Sequence, residues 1–333
     1  MAVENPFTRF GGRPVILDGG LATDLETHFG KDLSGGLWSA KLLREDQESI
    51  KAVHRRYFDA GADVATTSSY QASLEGFASV GISHTDALRL MRLSITLAID
   101  ARSEHMANRP LKDTRPLPLI AASVGCYATL LADGSEYTGI YPADVTEETI
   151  SAFHISRVMA LLGSESPTST TQHHQPDIIA FETIPSLLEA RALALACSTH
   201  PILSTFPSWV TFTCQPNGRV AHGEKLADCI AALDIAPSIV AVGINCTDPA
   251  LCEDLVRIAA TAAKGRTVIV YANSGEVYDG VRKTWIRKEG VVGGPGWYAE
   301  CARRWVEAGA DAVGGCCRTG PEHVRAVFEG LRG

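Results

Sequence analysis

The sequence predicts a (β/α)8 TIM-type barrel, an α/β fold built by the whole chain as a single domain, residues 1–333. Three observations predict it. Short apolar, β-rich runs recur eight times along the chain. Longer segments with apolar residues at helical spacing lie between them, the alternation of a parallel sheet covered by helices. No break in composition divides the 333 residues, and barrels often exceed the typical ~250 residues as one domain. A doubly wound open sheet shares the alternation. The count of eight favours the barrel.

The strand candidates are Pro14–Gly20, Ala62–Ser69, Pro118–Gly125, Asp177–Ile184, Trp209–Cys214, Ile239–Cys246, Thr267–Ser274 and Asp311–Cys317. Several are nearly continuous apolar runs, the pattern of a strand buried on both faces. Helical periodicity covers Asp86–Met106 and Glu147–Leu162. Ser186–Cys197 opens on a serine placed to cap it. Asp248–Ala263 and Gly320–Leu331 each place a proline at the first helical position. One stretch, Gly163–Pro176 (GSESPTSTTQHHQP), is low in complexity and reads as a solvated loop insert. Because it precedes the fourth strand, it belongs to the N-terminal face of the barrel. His173 and His174 within it read as an exposed pair rather than metal ligands.

Composition narrows the function classes. The chain is 45% hydrophobic and 20% charged, ordinary for a protein with a sizeable core. Its net charge of -8, with no Lys/Arg-rich run, argues against a nucleic-acid partner. The acidic balance suits a cationic small molecule, although it more often serves solubility. The apolar runs are of strand length, short of the ~20 residues of a membrane helix, so no membrane span is expected. The opening MAVENPFTRFGGRP has no apolar leader core. Together with nine cysteines, an odd number, it predicts a reducing, cytoplasmic location.

In a barrel the chemistry gathers where the strands end. Those ends carry Asp18-Gly19-Gly20, Thr67-Ser68-Ser69, Gly125-Cys126, Glu182-Thr183, Cys214, Asn245-Cys246, Asn273-Ser274 and Cys316-Cys317-Arg318. Cys197, Cys229, Cys252 and Cys301 fall within helical patterns and read as small core residues. Cys246, Cys316 and Cys317 end the sixth and eighth strands. Three thiolates form a soft site that suits one Zn2+ per chain and leaves a fourth position open for substrate. Successive strand residues face opposite ways, so both Cys316 and Cys317 reach one ion only if the chain bends, which Gly314-Gly315 permit. A vicinal redox disulfide, or one buried and one idle thiol, also fits the spacing. The corresponding alternatives are a cysteine-redox barrel enzyme and a non-catalytic protein that binds zinc or a metabolite.

The residues GINC at 243–246, GGCCRT at 314–319 and LDGGLATDLE at 17–26 resemble the zinc-dependent homocysteine S-methyltransferases. So do LWSAKLL at 37–43, SVGCYATLLADGSEYTG at 123–139, FETIP at 181–185 and YANSGEVYD at 271–279. The resemblance runs in order over nearly the whole chain. It is nearer to the branch that uses S-methylmethionine or S-adenosylmethionine than to the betaine- or cobalamin-dependent branches. It implies zinc on Cys246, Cys316 and Cys317, homocysteine as methyl acceptor, a sulfonium as donor and methionine as product. S-Methylmethionine is the donor expected ahead of S-adenosylmethionine; no GxGxxG nucleotide fingerprint follows a strand.

The same resemblance assigns Asp18 and Glu182 to the substrate ammonium group. The backbone around Gly19 and Gly20 is expected to receive its carboxylate, since glycine allows close approach. Asn273 resembles the family residue that fills the fourth metal position when substrate is absent; the other reading is a loop organiser. Trp38, Tyr70 and Tyr137 are donor-site candidates because aromatic faces attract a sulfonium, and Glu136 is a fourth candidate by its charge. Cys126 stands where the family often has proline. It and Cys214 end strands near the expected metal position, with no role assigned.

Overall fold

The computed structural model describes residues 3–33, 37–110, 113–163, 175–279, 284–287 and 293–332. Eight strands form the central sheet: β1 (Val15–Ile16), β2 (Val64–Thr66), β3 (Leu119–Gly125), β4 (Ile178–Ile184), β5 (Ser208–Phe212), β6 (Ile239–Asn245), β7 (Thr267–Ala272) and β8 (Ala312–Gly315). Neighbouring strands are parallel throughout, and β1 pairs with β8. A parallel bridge between Leu17 and Val64 joins β1 to β2 and closes the ring. The expected barrel is therefore the observed fold.

Each strand is followed by a helix: α1 (Gln47–Ala60), α2 (His84–Asn108), α3 (Glu147–Leu162), α4 (Leu187–Thr199), α5 (Leu226–Ala232), α6 (Pro249–Ala262), α7 (Pro295–Glu307) and α8 (Pro321–Arg332). The caps explain several starts. Asp46, Ser83, Thr146, Ser186 and Asp248 each accept a backbone N–H of the first turn of α1, α2, α3, α4 and α6. Pro249, Pro295 and Pro321 sit where a missing N–H costs nothing.

Alternation along the strands sorts the core into two layers. Leu17, Val64, Ala121, Ala180, Trp209 and Ile269 belong to one buried cluster, the barrel interior. Their chain neighbours Ile16, Ala65, Ile120, Ala122, Ile179, Phe181 and Val210 pack outward with the helices. A 3-10 turn, Pro6–Phe10, adds Phe7 and Phe10 to the interior cluster, with Phe7 6.1 Å from the Trp209 ring. They close the end where the strands begin, so the open end is the C-terminal rim. At Gly243 an added Cβ would lie 1.8 Å from the Ile269 carbonyl oxygen, so only glycine lets β6 pass β7 at this separation.

Expected strands are trimmed, Ala62–Ser69 to Val64–Thr66 and Thr267–Ser274 to Thr267–Ala272 among them, and three further edges differ for a local reason. β1 ends at Ile16 because the chain beyond it turns toward Thr66, whose N–H and hydroxyl both donate to Asp18. β8 ends at Gly315, before the cysteine pair. Cys214 does not end β5 but opens a two-stranded hairpin, Cys214–Gln215 against Arg219–Val220. The insert is known only at its flanks. Gly163 terminates α3 in the left-handed conformation, and the Gln175 amide donates to Leu162 O. Residues 164–174, with His173 and His174, lie outside the described residues. Among the described residues no helix is long and apolar enough to cross a membrane.

Candidate active site

At the open rim a cavity of about 900 Å3 is lined by Asp18, Gly19, Gly20, Tyr70, Glu136, Tyr137, Glu182, Cys246, Cys316 and Cys317. Ten of the residues singled out in the sequence thus share one wall. The thiols of Cys246, Cys316 and Cys317 all lie within 4.8 Å of one another and are half-buried. Cys246 Sγ stands 3.8 Å from Cys317 Sγ; a disulfide requires about 2.05 Å, so the sulfurs are unbonded. Such a group of soft donors, open on one side to a cavity, fits a tetrahedral cation with a vacant ligand position.

The backbone explains how adjacent cysteines converge. Cys246 takes a left-handed conformation, φ 49°, immediately after β6. After β8 the chain turns at once: the Thr319 N–H and hydroxyl both donate to Cys316 O, and Arg318 has φ 65°. Gly314 and Gly315 keep negative φ, so the expected bend lies one step later than they do. Their requirement is space: a Cβ on Gly315 would meet Thr319 Oγ1 at 2.1 Å, and one on Gly314 would meet Leu17 Cβ at 2.5 Å. The loops are pinned to β7. Cys246 N–H donates to Tyr271 O, Cys316 N–H to Ala272 O and Ser274 N–H to Cys317 O. Tyr298 of α7 donates its hydroxyl to Ala272 O and Gly314 O, bracing both strands from outside.

The carboxylates stand deeper. Asp18 is buried and accepts the Thr66 N–H at 2.8 Å. Burial, together with the charge of Glu182, raises its pKa well above the usual range despite the Thr66 bonds. Burial pushes the Glu182 carboxyl up to about 7 against the pull of the Ser123 and Tyr271 hydroxyls. Among the described residues Glu182 Oε1 has no hydrogen-bond partner, and neither has the Ser68 hydroxyl on the same wall. Buried groups left unpaired beside a cavity are costly in the free protein and await a ligand that pairs them. The three thiols crowd one another. Cys246 raises Cys316, and burial adds to it; Cys246 and Cys317 also end well above the ordinary thiol range once neighbour and burial effects are summed. A cation at their centre would reverse that direction, because a metal-ligating thiol is held deprotonated.

A model of the homocysteine S-methyltransferase family matches residues 15–331. The chain belongs to this family. It is 40% identical over 334 residues to homocysteine S-methyltransferase 1 of Zea mays, covering 99% of this chain and 98% of that one. It is 41% identical to the selenocysteine Se-methyltransferase of Brassica oleracea var. italica, covering 96% and 89%. The metallated form of the homocysteine methyltransferase MmuM from Escherichia coli superposes with a TM-score of 0.78 at 35% identity, covering 95% of this chain and 96% of that one. The reaction of the family moves a methyl group to the thiol of homocysteine and yields methionine.

Within that frame the expected residues divide. Gly20 lines the cavity, but its N–H donates to Thr319 O and is not free for a substrate carboxylate. Its glycine is needed for closeness: a Cβ there would meet Cys316 O at 2.6 Å. Asn273 is not on the cavity wall; its N–H donates to Thr247 O, and its Oδ1 is buried without a partner among the described residues. Trp38 opens a short 3-10 helix, and its side chain lies outside the described part of the structure. Cys126 is fully buried, and neither it nor Cys214 lines the cavity.

Sequence reasoning placed Thr183 and Asn245 at strand ends on the rim, where both line the cavity, but gave neither a role. Thr183 has φ 62°, a strained conformation for a β-branched residue. Asn245 at the end of β6 holds it there, accepting the Thr183 N–H at 2.8 Å and donating to Thr183 Oγ1 at 2.8 Å. The pair fixes the peptide that follows Glu182. Asn245→Ala is expected to lower stability by about 1–3 kcal/mol, through two lost buried bonds, and to raise the KM for homocysteine. A melting curve and a homocysteine titration check both; an unchanged KM would limit Asn245 to packing. No local signal in a single sequence reveals a left-handed threonine.

Proposed function

We propose that this homocysteine S-methyltransferase holds one zinc ion on Cys246, Cys316 and Cys317 and takes its methyl group from a sulfonium, S-methylmethionine ahead of S-adenosylmethionine. The observation that carries the reading is the group of three thiols within 4.8 Å of one another on the wall of the cavity that also holds Asp18 and Glu182. Zinc, when bound, supplies Lewis acidity that favours the ionised form of a substrate thiol at neutral pH.

The chain's own residues bind and orient. Glu182 Oε1, buried and unpaired, accepts the homocysteine ammonium, with Asp18 as the second carboxylate. Gly19, Gly20 and the Ser68 hydroxyl border the place left for its carboxylate. Tyr70, Glu136 and Tyr137 form the wall that a cationic donor would meet, and Trp38 belongs to the same rim in sequence. Tyr137 is 52% exposed and lines the same cavity as the three thiols. Aromatic and anionic groups there favour a sulfonium.

The transfer balances simply. The homocysteine thiol loses its proton to solvent. Its sulfur forms the new bond to the methyl carbon, while the methyl–sulfur bond of the donor breaks and its electron pair stays on the departing thioether. No general acid is needed, because that leaving group departs neutral; what remains is alignment. Asn273, with its Oδ1 buried and unpaired among the described residues, keeps both roles, a fourth metal ligand in the absence of substrate or a loop organiser through its backbone bond to Thr247. All nine cysteines are free thiols, which supports a cytoplasmic location; the acidic balance of the chain and the cavity at its rim favour small-molecule partners over nucleic acid or membrane.

The test is the initial rate of methionine formation with S-methylmethionine, S-adenosylmethionine and betaine at equal concentration. S-Methylmethionine is expected to be the best donor. Betaine as the best would overturn the sulfonium assignment; S-adenosylmethionine as the best would overturn the order alone.

A further inference from the structure

The cavity has more charge than one homocysteine uses. Its described lining carries the carboxylates of Asp18, Glu26, Asp32, Glu136 and Glu182 against a single guanidinium, that of Arg318. Asp18 and Glu182 are buried, whereas Glu26 and Asp32 are exposed at the mouth. At about 900 Å3 the space also exceeds what one small amino acid fills.

Arg318 follows Cys317 directly and is held on two sides. Its N–H donates to Thr23 Oγ1 at 2.9 Å, and its Nε donates to Glu276 Oε2 at 2.7 Å. Among the described residues its two Nη groups have no hydrogen-bond partner, and the side chain is 30% exposed into the cavity. A guanidinium fixed through Nε, with both Nη groups unpaired, is shaped to receive a carboxylate. Glu26 lies one turn beyond Thr23 on the helix Leu21–Thr27. Glu26 and Arg318 line the same cavity, and the Arg318 bond to Thr23 brings its backbone to this helix. A guanidinium and a carboxylate on one wall, beside the thiol group, match the two charged ends of an α-amino acid.

We propose that Arg318 and Glu26 form the subsite that reads the amino-acid end of the methyl donor, Arg318 taking its carboxylate and Glu26 its ammonium group. The assignment rests on the sulfonium reading above and makes it narrower: the donor is a sulfonium that is also a free α-amino acid. Glu276 is then a positioning residue that aims the guanidinium.

Three donors separate the charges. S-Methylmethionine carries both, dimethylsulfoniopropionate keeps the carboxylate without the ammonium, and trimethylsulfonium has neither. In Arg318→Gln the KM for S-methylmethionine is expected to rise roughly 10- to 100-fold, the range of one lost charge-assisted contact. Its advantage over trimethylsulfonium should collapse by the same factor, with zinc content and the homocysteine KM held. Arg318→Lys should recover part of the advantage. Glu26→Gln should shrink the preference for S-methylmethionine over dimethylsulfoniopropionate alone. Calorimetric binding of S-methylmethionine to each variant gives a readout apart from turnover. Unchanged donor ratios, a rise in the homocysteine KM instead, or zinc loss with all donors equally impaired would each overturn the subsite. A wild-type enzyme inactive with every sulfonium but active with another donor class would sink the sulfonium reading itself.

Discussion

Replacing Cys246, Cys316 or Cys317 singly with alanine is expected to remove about one zinc per chain and to lower kcat/KM for homocysteine by more than about 100-fold. The magnitude follows from position: changing residues that merely support metal ligands costs 10–100-fold, and these are proposed as the ligands themselves. The three sulfurs lie within 4.8 Å of one another, so no other described thiol or carboxylate completes the same group when one is lost. Metal content of protein purified under reducing conditions, measured beside activity, checks both halves. The fold should survive, since the three thiols are half-buried at the rim and only Cys316 touches the interior cluster, from outside it. A melting transition near that of the wild type would show this. Three variants with full zinc and full activity would falsify the metal assignment, and zinc retained with activity lost would turn the reading toward redox chemistry at the same cysteines.

The fold was legible because it rests on period and burial. The runs at 119–125, 178–184 and 239–245 are apolar along their whole length, and β3, β4 and β6 are buried residue by residue. Ser186 and Asp248-Pro249 announced α4 and α6 through the chemistry of the first turn, and both caps are formed. Helices α1, α5 and α7 are less legible. Leu226–Ala232 has only seven residues, too few for a period to stand out. Gln47–Ala60 and Pro295–Glu307 carry many charges on one side, so their apolar content is low beside that of their neighbours.

The site divides along the same line. Residues whose identity names their chemistry were visible: thiols and carboxylates at strand ends gather by the geometry of the barrel alone. Residues whose role depends on a backbone angle were hidden. The left-handed Thr183 and its Asn245 clamp, and the bend at Cys316–Arg318 rather than at the glycines before it, arise from tertiary contacts with β6 and with Thr319. The Gly20 N–H was expected to await substrate and is instead spent on Thr319, which ties the first rim loop to the eighth. Such bonds join residues about 300 positions apart, beyond any local pattern.

Glu182→Gln is expected to lower kcat/KM for homocysteine by about 100-fold or more, the scale of removing one partner of a buried charge pair. It should also change how the enzyme responds to pH. Burial raises the free carboxyl to about 7 from an ordinary value near 4.5. In the unfolded chain the group ionises near 4.5, whereas in the folded, ligand-free enzyme it holds its proton until about 7. Across that window the folded state binds more protons, so this group takes stability away from the ligand-free protein as pH rises. Asp18, raised mainly by burial, acts in the same direction. The substrate ammonium pairs only with the ionised form, so homocysteine binding should strengthen with pH through about 7 while the empty fold weakens. Glutamine cannot titrate. The variant should therefore bind poorly at every pH, lose that component of the pH rise, and melt higher than the wild type at pH values above the window when ligand-free. Thiol ionisation of the substrate also varies with pH but is common to both proteins, so the comparison isolates the carboxyl. Melting curves and homocysteine titrations of the two proteins at matched pH decide it. A wild type and variant with parallel binding profiles, or a variant that melts lower than the wild type above pH 7, would refute the view that Glu182 is a buried acid kept costly in the empty site so that an ammonium can relieve it.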